Sequence, residues 1–266
     1  GVWSDANIVF GHTRLSIIDL AESSNQPMLS NDENIVIVFN GEIYKHQEIK
    51  EELKNEFVFK TDHSDTEVII NAYKKWGIKA LDKFVGMFAI ALYDKSKEKV
   101  FLIRDRFGKK PFYITTVNNT LYFSSENQAF FESGLLKKEF NDEAIYDYLT
   151  FLTVPAPKTF YKNVQKIEAG YYYEISSNGI QKNKYWDIAD YLNIEDNCSF
   201  DEAKEKSEEL LNDAMKYRNV ADVPISIALS GGLDSSLNLH YTKQNRDDEI
   251  STINISYEKT SDFDES

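Results

Sequence analysis

The order of apolar and polar positions divides this chain into strands and helices before any motif is considered. Residues 35–44, Ile-Val-Ile-Val-Phe-Asn-Gly-Glu-Ile-Tyr, open with an unbroken apolar run suited to a strand covered on both faces. Residues 86–93, Gly-Met-Phe-Ala-Ile-Ala-Leu-Tyr, have the same character, and 99–103 follow as a second strand across a charged turn at Asp94 to Glu98. Residues 7–20 mix apolar and polar positions at strand-like spacing, and 120–124 and 170–175 predict further strands, the latter the last before a long polar stretch. Helices are predicted over 46–54, over 65–76 with Asp65 suited to the N-cap, from Ser125-Glu126, and over 142–149. From 200 to 217, Ala203, Leu210, Leu211 and Ala214 form an apolar stripe on a helix that is otherwise charged.

Residues 176–199 are polar and turn-rich, so the chain is expected to comprise a mixed, strand-rich domain over 1–175, a linker over 176–199 and a second domain over 200–266. The second domain centres on Pro-Ile-Ser-Ile-Ala-Leu-Ser-Gly-Gly-Leu-Asp-Ser-Ser at 224–236. A short apolar run there meets two glycines and then residues suited to starting a helix. Strand, glycine turn and helix N-terminus together point backbone N–H groups and a positive dipole end at an anion. The string predicts a phosphate or pyrophosphate site, with an ordinary strand-to-helix turn as the alternative. It is not a Walker loop, because no lysine follows the glycines. A second strand is expected at Ile253 to Tyr257.

Composition narrows the class. Lys and Arg total 30 against 44 Asp and Glu, a formal charge of −14, which argues against nucleic acid as a partner. Cys198 is the single cysteine, so no intrachain disulfide forms, which fits a reducing cytoplasm. No apolar run is long enough to span a membrane, so no membrane partner is expected. The first residue is Gly1 rather than Met, and the last residues follow closely on a strand candidate, so the chain reads as a segment of a longer protein.

Several polar residues are candidates for chemistry. Arg14 sits in an apolar neighbourhood, where it either pairs with an acid such as Asp19 or grips a ligand carboxylate with its two-pronged guanidinium. Asn40-Gly41 is either a hairpin turn or the amide and N–H of an oxyanion hole. The charged run 104–111, Arg-Asp-Arg-Phe-Gly-Lys-Lys-Pro, reads as a loop that could be solvated.

Taken in order, a series of strings resembles glutamine-dependent asparagine synthetase. They are Gly-His-Thr-Arg-Leu-Ser-Ile-Ile-Asp-Leu at 11–20, Phe-Asn-Gly-Glu-Ile-Tyr at 39–44, Ser-Asp-Thr-Glu-Val-Ile at 64–69 and Gly-Met-Phe-Ala at 86–89. The 104–111 string, Ser-Ser-Glu at 124–126 and Ser-Gly-Gly-Leu-Asp-Ser-Ser at 230–236 complete the set. The last resembles the pyrophosphate loop of ATP pyrophosphatases. The resemblance implies an α+β glutaminase of the Ntn-hydrolase type, a four-layer αββα sandwich, followed by the start of a parallel α/β ATP-pyrophosphatase domain. It implies glutamine hydrolysis in the first and adenylation and amidation of aspartate in the second, with ATP and Mg²⁺ as cofactors and a homodimer left open. Related amidotransferases acting on other carboxylates, such as sugar acids, and a non-catalytic glutamine- or nucleotide-binding module are the alternatives.

By the same resemblance, Arg14, Leu15, Ile17, Asn40, Glu42 and Asp65 bind glutamine, Arg14 holding the α-carboxylate and the two acids the ammonium group. Asn40 and Gly41 form the oxyanion hole. Leu229, Ser230, Gly231, Gly232, Leu233, Asp234, Ser235, Ser236 and Ile255 bind ATP, with Leu229 and Ile255 on the adenine side and Asp234 reaching Mg²⁺ on the pyrophosphate. The family's nucleophile is a cysteine at the mature N-terminus. Position 1 here is Gly and Cys198 lies in the expected linker, so the 266 residues by themselves are expected neither to hydrolyse glutamine nor to make asparagine.

Overall fold

The computed structural model describes residues 1–192 and 197–255. These fall into two units, Gly1–Arg14 with Ala21–Asn193, and Leu15–Leu20 with Ile194–Ser266.

The first unit is built from β1 (Val2–Asp5), β2 (Ile8–Gly11), β3 (Met28–Leu29), β4 (Ile35–Ile43), α1 (His46–Leu53), α2 (Asp65–Trp76), β5 (Gly86–Asp94), β6 (Lys99–Arg104), β7 (Tyr113–Val117), β8 (Thr120–Ser124), α3 (Gln128–Glu132), α4 (Asp142–Phe151), β9 (Gln165–Lys166), β10 (Tyr171–Ser176) and β11 (Gly179–Lys184). One sheet has six strands in the order β11-β10-β6-β5-β4-β3, and every neighbouring pair is antiparallel. A second sheet runs β8-β7-β9, and β1 and β2 form a hairpin. The unbroken apolar runs of β4 and β5 follow from this layering. Ile35, Ile37, Phe39, Ile90 and Leu92 pack with Ile49 and Leu53 of α1 and Val68, Ile69 and Ala72 of α2. Val36, Val38, Ala89 and Ala91 pack on the other face with Phe10, Phe112, Ile114 and Ile167. Helices α1 and α2, the large sheet and a second layer of strands stack in that order, the first three layers of the expected αββα sandwich, and α3 and α4 follow along the chain.

Several elements differ from the pattern reading. Only Ile8–Gly11 of the 7–20 stretch is a strand, because 12–20 has no ladder partner and part of it groups with the second unit. Asn40-Gly41 is not a hairpin turn; it lies inside β4, opposite Ala89 and Phe88 of β5. The strand at 171–176 is not the last, since β11 pairs along it as an exposed edge. An edge strand needs no apolar face, so Gly-Ile-Gln-Lys-Asn-Lys carries no periodic signal. β7 has no continuous apolar run, since its buried Thr115 is satisfied by donating to the Asn163 carbonyl at 2.6 Å.

The second unit contains α5 (Phe200–Arg218), β12 (Ser226–Ala228), α6 (Leu233–Asn245) and β13 (Ser251–Ile253). β12 and β13 are parallel and joined through α6, the crossover that parallel pairing requires. β13 ends at Ile253, so Ile255 lies beyond the strand, and Tyr257 lies outside the described residues.

Trp3, Trp76 and Trp186 are the three tryptophans and all belong to the first unit, so their fluorescence follows its unfolding. Ile90→Ala, at a fully buried position of β5, is expected to cost about 2–5 kcal/mol in a urea melt. Ile180→Ala, half-exposed on the edge strand β11, is expected to cost under about 1 kcal/mol. Equal losses would refute the assignment of β5 to the centre of the layers.

Candidate functional site

The candidate site of the first unit is organised by the C-terminal half of β4. Asn40, Gly41 and Glu42 are consecutive there and face Ala89, Phe88 and Met87 of β5. The backbones approach so closely that a Cβ on Gly41 would sit 2.0 Å from the Met87 carbonyl oxygen, and one on Gly86 would sit 2.1 Å from that of Glu42. Only glycine fits at either position.

Asp65 joins this strand to α2. It is not the N-cap, which is Ser64; it is the first helical residue, and its Oδ2 accepts the Ile43 N–H at 3.1 Å. The carboxyl is buried, and burial first of all pushes its pKa up to about 6, with the Glu42 charge adding to the rise. Hydrogen bonds from the Ile43 and Thr66 amides and the charge of Arg14 act in the opposite direction. Glu42 is half-buried, and its pKa is also raised by burial, with the Lys110 ammonium opposing. Two carboxyls held partly against ionisation, with Arg14 in electrostatic reach of one, favour a ligand that brings its own cation and its own anion. Arg14 donates to the Ala21 carbonyl at 3.1 Å and to Asn25 Oδ1 at 3.4 Å, and the Asn40 amide donates to Ser125 Oγ at 3.3 Å.

Three supports escaped the sequence reading. Gln26 is buried and bridges the two elements, accepting the Phe39 N–H at 2.6 Å and donating to Thr66 Oγ1 at 3.3 Å. The His12 Nε2 lies 3.1 Å from the Phe39 carbonyl, and burial lowers its pKa, with Arg14 adding to the effect. The 104–111 run is a surface loop folded around one buried carboxylate. Asp105, 1% exposed, accepts the amides of Phe88, Phe107, Lys109 and Lys110. Arg104 donates to the carbonyls of Lys110, Ile167 and Gly108 at 2.6–2.8 Å. The loop therefore holds both Phe88, the partner of Gly41, and Lys110, whose charge reaches Glu42. Repeated spacing does not reveal a carboxylate that collects amides from its own loop.

Arg14, Asn40, Gly41, Glu42 and Asp65 all belong to the first unit, whereas Leu15 and Ile17 lie in the 15–20 segment that groups with the second. Leu15 is exposed, and the Ile17 carbonyl accepts the Asp222 N–H at 2.9 Å. Cys198 is exposed and belongs to the second unit.

In that unit, residues 229–236 form a turn closed by its own hydroxyls. The Leu229 N–H donates to the Ile253 carbonyl at 2.9 Å, extending the β12–β13 pairing by one residue. Gly231 has φ +88°, which glycine adopts without strain. Ser230 N–H donates to Ser235 Oγ at 3.2 Å, and Gly232 N–H donates to Ser230 Oγ at 3.3 Å. Ser235 and Ser236 hydroxyls donate to the Gly232 carbonyl at 3.1 and 2.9 Å. Gly232 is the N-cap of α6, so Leu233, Asp234 and Ser235 are in its first turn, where amides have no acceptor within the helix. Asp234 therefore sits inside the helix rather than at its cap. Among the described residues, no group of three or more His, Cys, Asp or Glu could hold a metal ion, and no helix is long and apolar enough to cross a membrane.

The buried Asp65 gives a pH signature. Its native carboxyl keeps a proton that the unfolded chain releases near pH 4, so its contribution to stability is complete below about pH 4 and is lost as pH rises through about 6. Asp65→Asn lacks this loss. The stability of the variant relative to the wild type is expected to rise by up to roughly 3 kcal/mol between pH 4 and 7 in urea melts read by tryptophan fluorescence. A constant difference across that range would refute the raised pKa.

The glutamine amidotransferase domain family matches residues 1–186, and the asparagine synthase family matches residues 206–266. Asparagine synthetase [glutamine-hydrolyzing] 2 of Bacillus subtilis is 38% identical over 91% of this chain and 34% of its own length. Putative asparagine synthetase [glutamine-hydrolyzing] 2 of Methanocaldococcus jannaschii is 37% identical over 95% of this chain and 52% of its own. Amidase chyE of Penicillium rubens is 36% identical over 86% of this chain and 34% of its own. The chain thus spans about a third to a half of the length of these relatives. With the first match covering all of β1 to β11 and the second following it along the chain, the protein belongs to the glutamine amidotransferase family and resembles the glutamine-hydrolysing asparagine synthetases in the order of its parts.

Proposed function

We propose that this protein takes part in glutamine-dependent synthesis of asparagine: glutamine is bound and its amide nitrogen released in the first unit, and aspartate is activated by ATP in a domain that begins with the second. The observation that carries the reading is the placing of Arg14 within electrostatic reach of the buried Asp65, whose pKa the Glu42 charge helps to raise, beside Asn40-Gly41. An α-amino acid offers one carboxylate and one ammonium, which match the guanidinium and the two acids. Leu15 and Ile17, following Arg14, bind the same substrate. Asn40 and the Gly41 N–H stabilise the oxyanion formed when the side-chain amide is attacked, a contribution of about 3 kcal/mol for one such donor.

Ammonia is nucleophilic and ammonium is not, so the nitrogen has to travel unprotonated. The aspartate side-chain carboxylate becomes an acyl donor only once it carries AMP. Leu229 and Ile255 flank adenine in this reading, and Ser230 to Ser236 hold the pyrophosphate through the turn and the first amides of α6. Mg²⁺ belongs to the same reading. Asp234 supplies one exposed carboxylate, a donor set that fits an ion held mainly by phosphate oxygens, and the ion offsets phosphate charge. A cytoplasmic compartment and assembly as a homodimer complete the proposal. Formation of AMP that depends on aspartate tests this choice of acceptor against a different carboxylate.

Calorimetry tests the first unit. Arg14→Met is expected to weaken L-glutamine binding at least tenfold. Wild type is expected to bind glutaramic acid, which lacks the α-ammonium, at least tenfold more weakly than glutamine, and Asp65→Asn to lose that preference. Equal affinity of the wild type for the two ligands, or unchanged binding in Arg14→Met, would overturn the assignment.

A further inference from the structure

The chain leaves the first unit after Arg14 and rejoins it at Ala21, and the six residues between group with the second unit. Their attachment there includes two hydrogen bonds to one residue. Asp222 donates its backbone N–H to the Ile17 carbonyl at 2.9 Å, and its Oδ2 accepts the Asp19 N–H at 2.6 Å. A charged acceptor makes the second bond the stronger kind. Asp19 is held at φ +53°, a left-handed conformation that a residue with a side chain adopts only when its surroundings fix it. Ile18 and Asp19 are 7% and 2% exposed, so the segment is seated rather than draped over the surface. Asp222 itself lies between the end of α5 at Arg218 and the start of β12 at Ser226, the strand that leads into the 229–236 turn.

We propose that Asp222 is a positioning residue for the glutamine-binding segment: by bonding to Ile17 and Asp19 it fixes the left-handed bend at Asp19 and with it the course of Leu15 and Ile17. The proposal rests on the reading of Leu15 and Ile17 as glutamine-binding residues given above. It assigns the Asp222 carboxylate no contact with substrate. Its effect is read in the affinity for glutamine, with the affinity for an adenine nucleotide as the comparison. An Asp serves here because it presents an acceptor oxygen and its own N–H on the same side of one residue, matching the carbonyl and amide of a two-residue-separated pair.

Hydrogen exchange and calorimetry on the same samples test this. Asp222→Ala keeps the backbone bond to Ile17 but loses the acceptor for Asp19. Exchange over 15–20 is expected to quicken at least tenfold, and the Kd for L-glutamine to rise about tenfold, with the Kd for an adenine nucleotide unchanged. Asp222→Asn retains an acceptor oxygen and is expected to recover most of both effects, which separates loss of the Asp19 bond from loss of folding. Unchanged exchange and affinity in Asp222→Ala, alongside lost binding in Arg14→Met, would overturn the positioning role and leave the glutamine site standing. Quickened exchange in a protein whose wild type binds no glutamine would overturn the positioning role together with the reading of that site.

Discussion

The hydrogen bond from the Ile43 amide to the buried Asp65 carboxylate is the junction on which the first unit turns. It ties the end of the central strand β4 to the first residue of α2, and it does so with a group that is costly to bury as an anion. That cost is tolerable because the amides of Ile43 and Thr66 and the charge of Arg14 favour the ionised form, while burial and Glu42 oppose it. The balance leaves a carboxyl poised near neutrality at the end of a strand whose next residues are fixed by a nine-pair ladder.

Around that junction the polar groups of the first unit act as spacers between layers. Gln26 holds Phe39 of β4 and Thr66 of α2 at a set distance, and Asp105 gathers four amides so that the loop after β6 folds back on β5. Gly41 and Gly86 remove the side chains that would otherwise hold β4 and β5 apart beside the polar residues. The apolar cores on the two faces of the large sheet supply the burial free energy. The polar spacers decide where within that packing Asn40, Glu42 and Lys110 come to rest.

The second unit follows a different logic. Its strands are three residues long and its turn is held by serine hydroxyls bonding to the turn's own amides and carbonyls. Closing the turn in this way fixes its backbone without using the first-turn amides of α6. The 15–20 segment joins this unit although it is embedded in the sequence of the other, so the two are linked by chain crossings at both ends of that segment as well as at the later connection.

The amino-acid order by itself determined a good deal. Unbroken apolar runs flanked by turns marked β4, β5 and β6, because burial on both faces leaves no polar positions to interrupt them. The glycine pair before Leu-Asp-Ser-Ser marked the turn into α6, because only glycine reaches the dihedral found at Gly231. What the order could not give is which polar group meets which. Asp65, open between a cap and a ligand acid, bridges to β4; the 104–111 loop, which could have been solvated, encloses Asp105; Asn-Gly, open between a hairpin turn and an oxyanion hole, lies mid-strand. Local propensity is a property of neighbours along the chain, whereas a buried polar group takes its role from partners tens to hundreds of residues away. The Asp19 amide finds its acceptor on Asp222, and no periodicity in the sequence spans that distance.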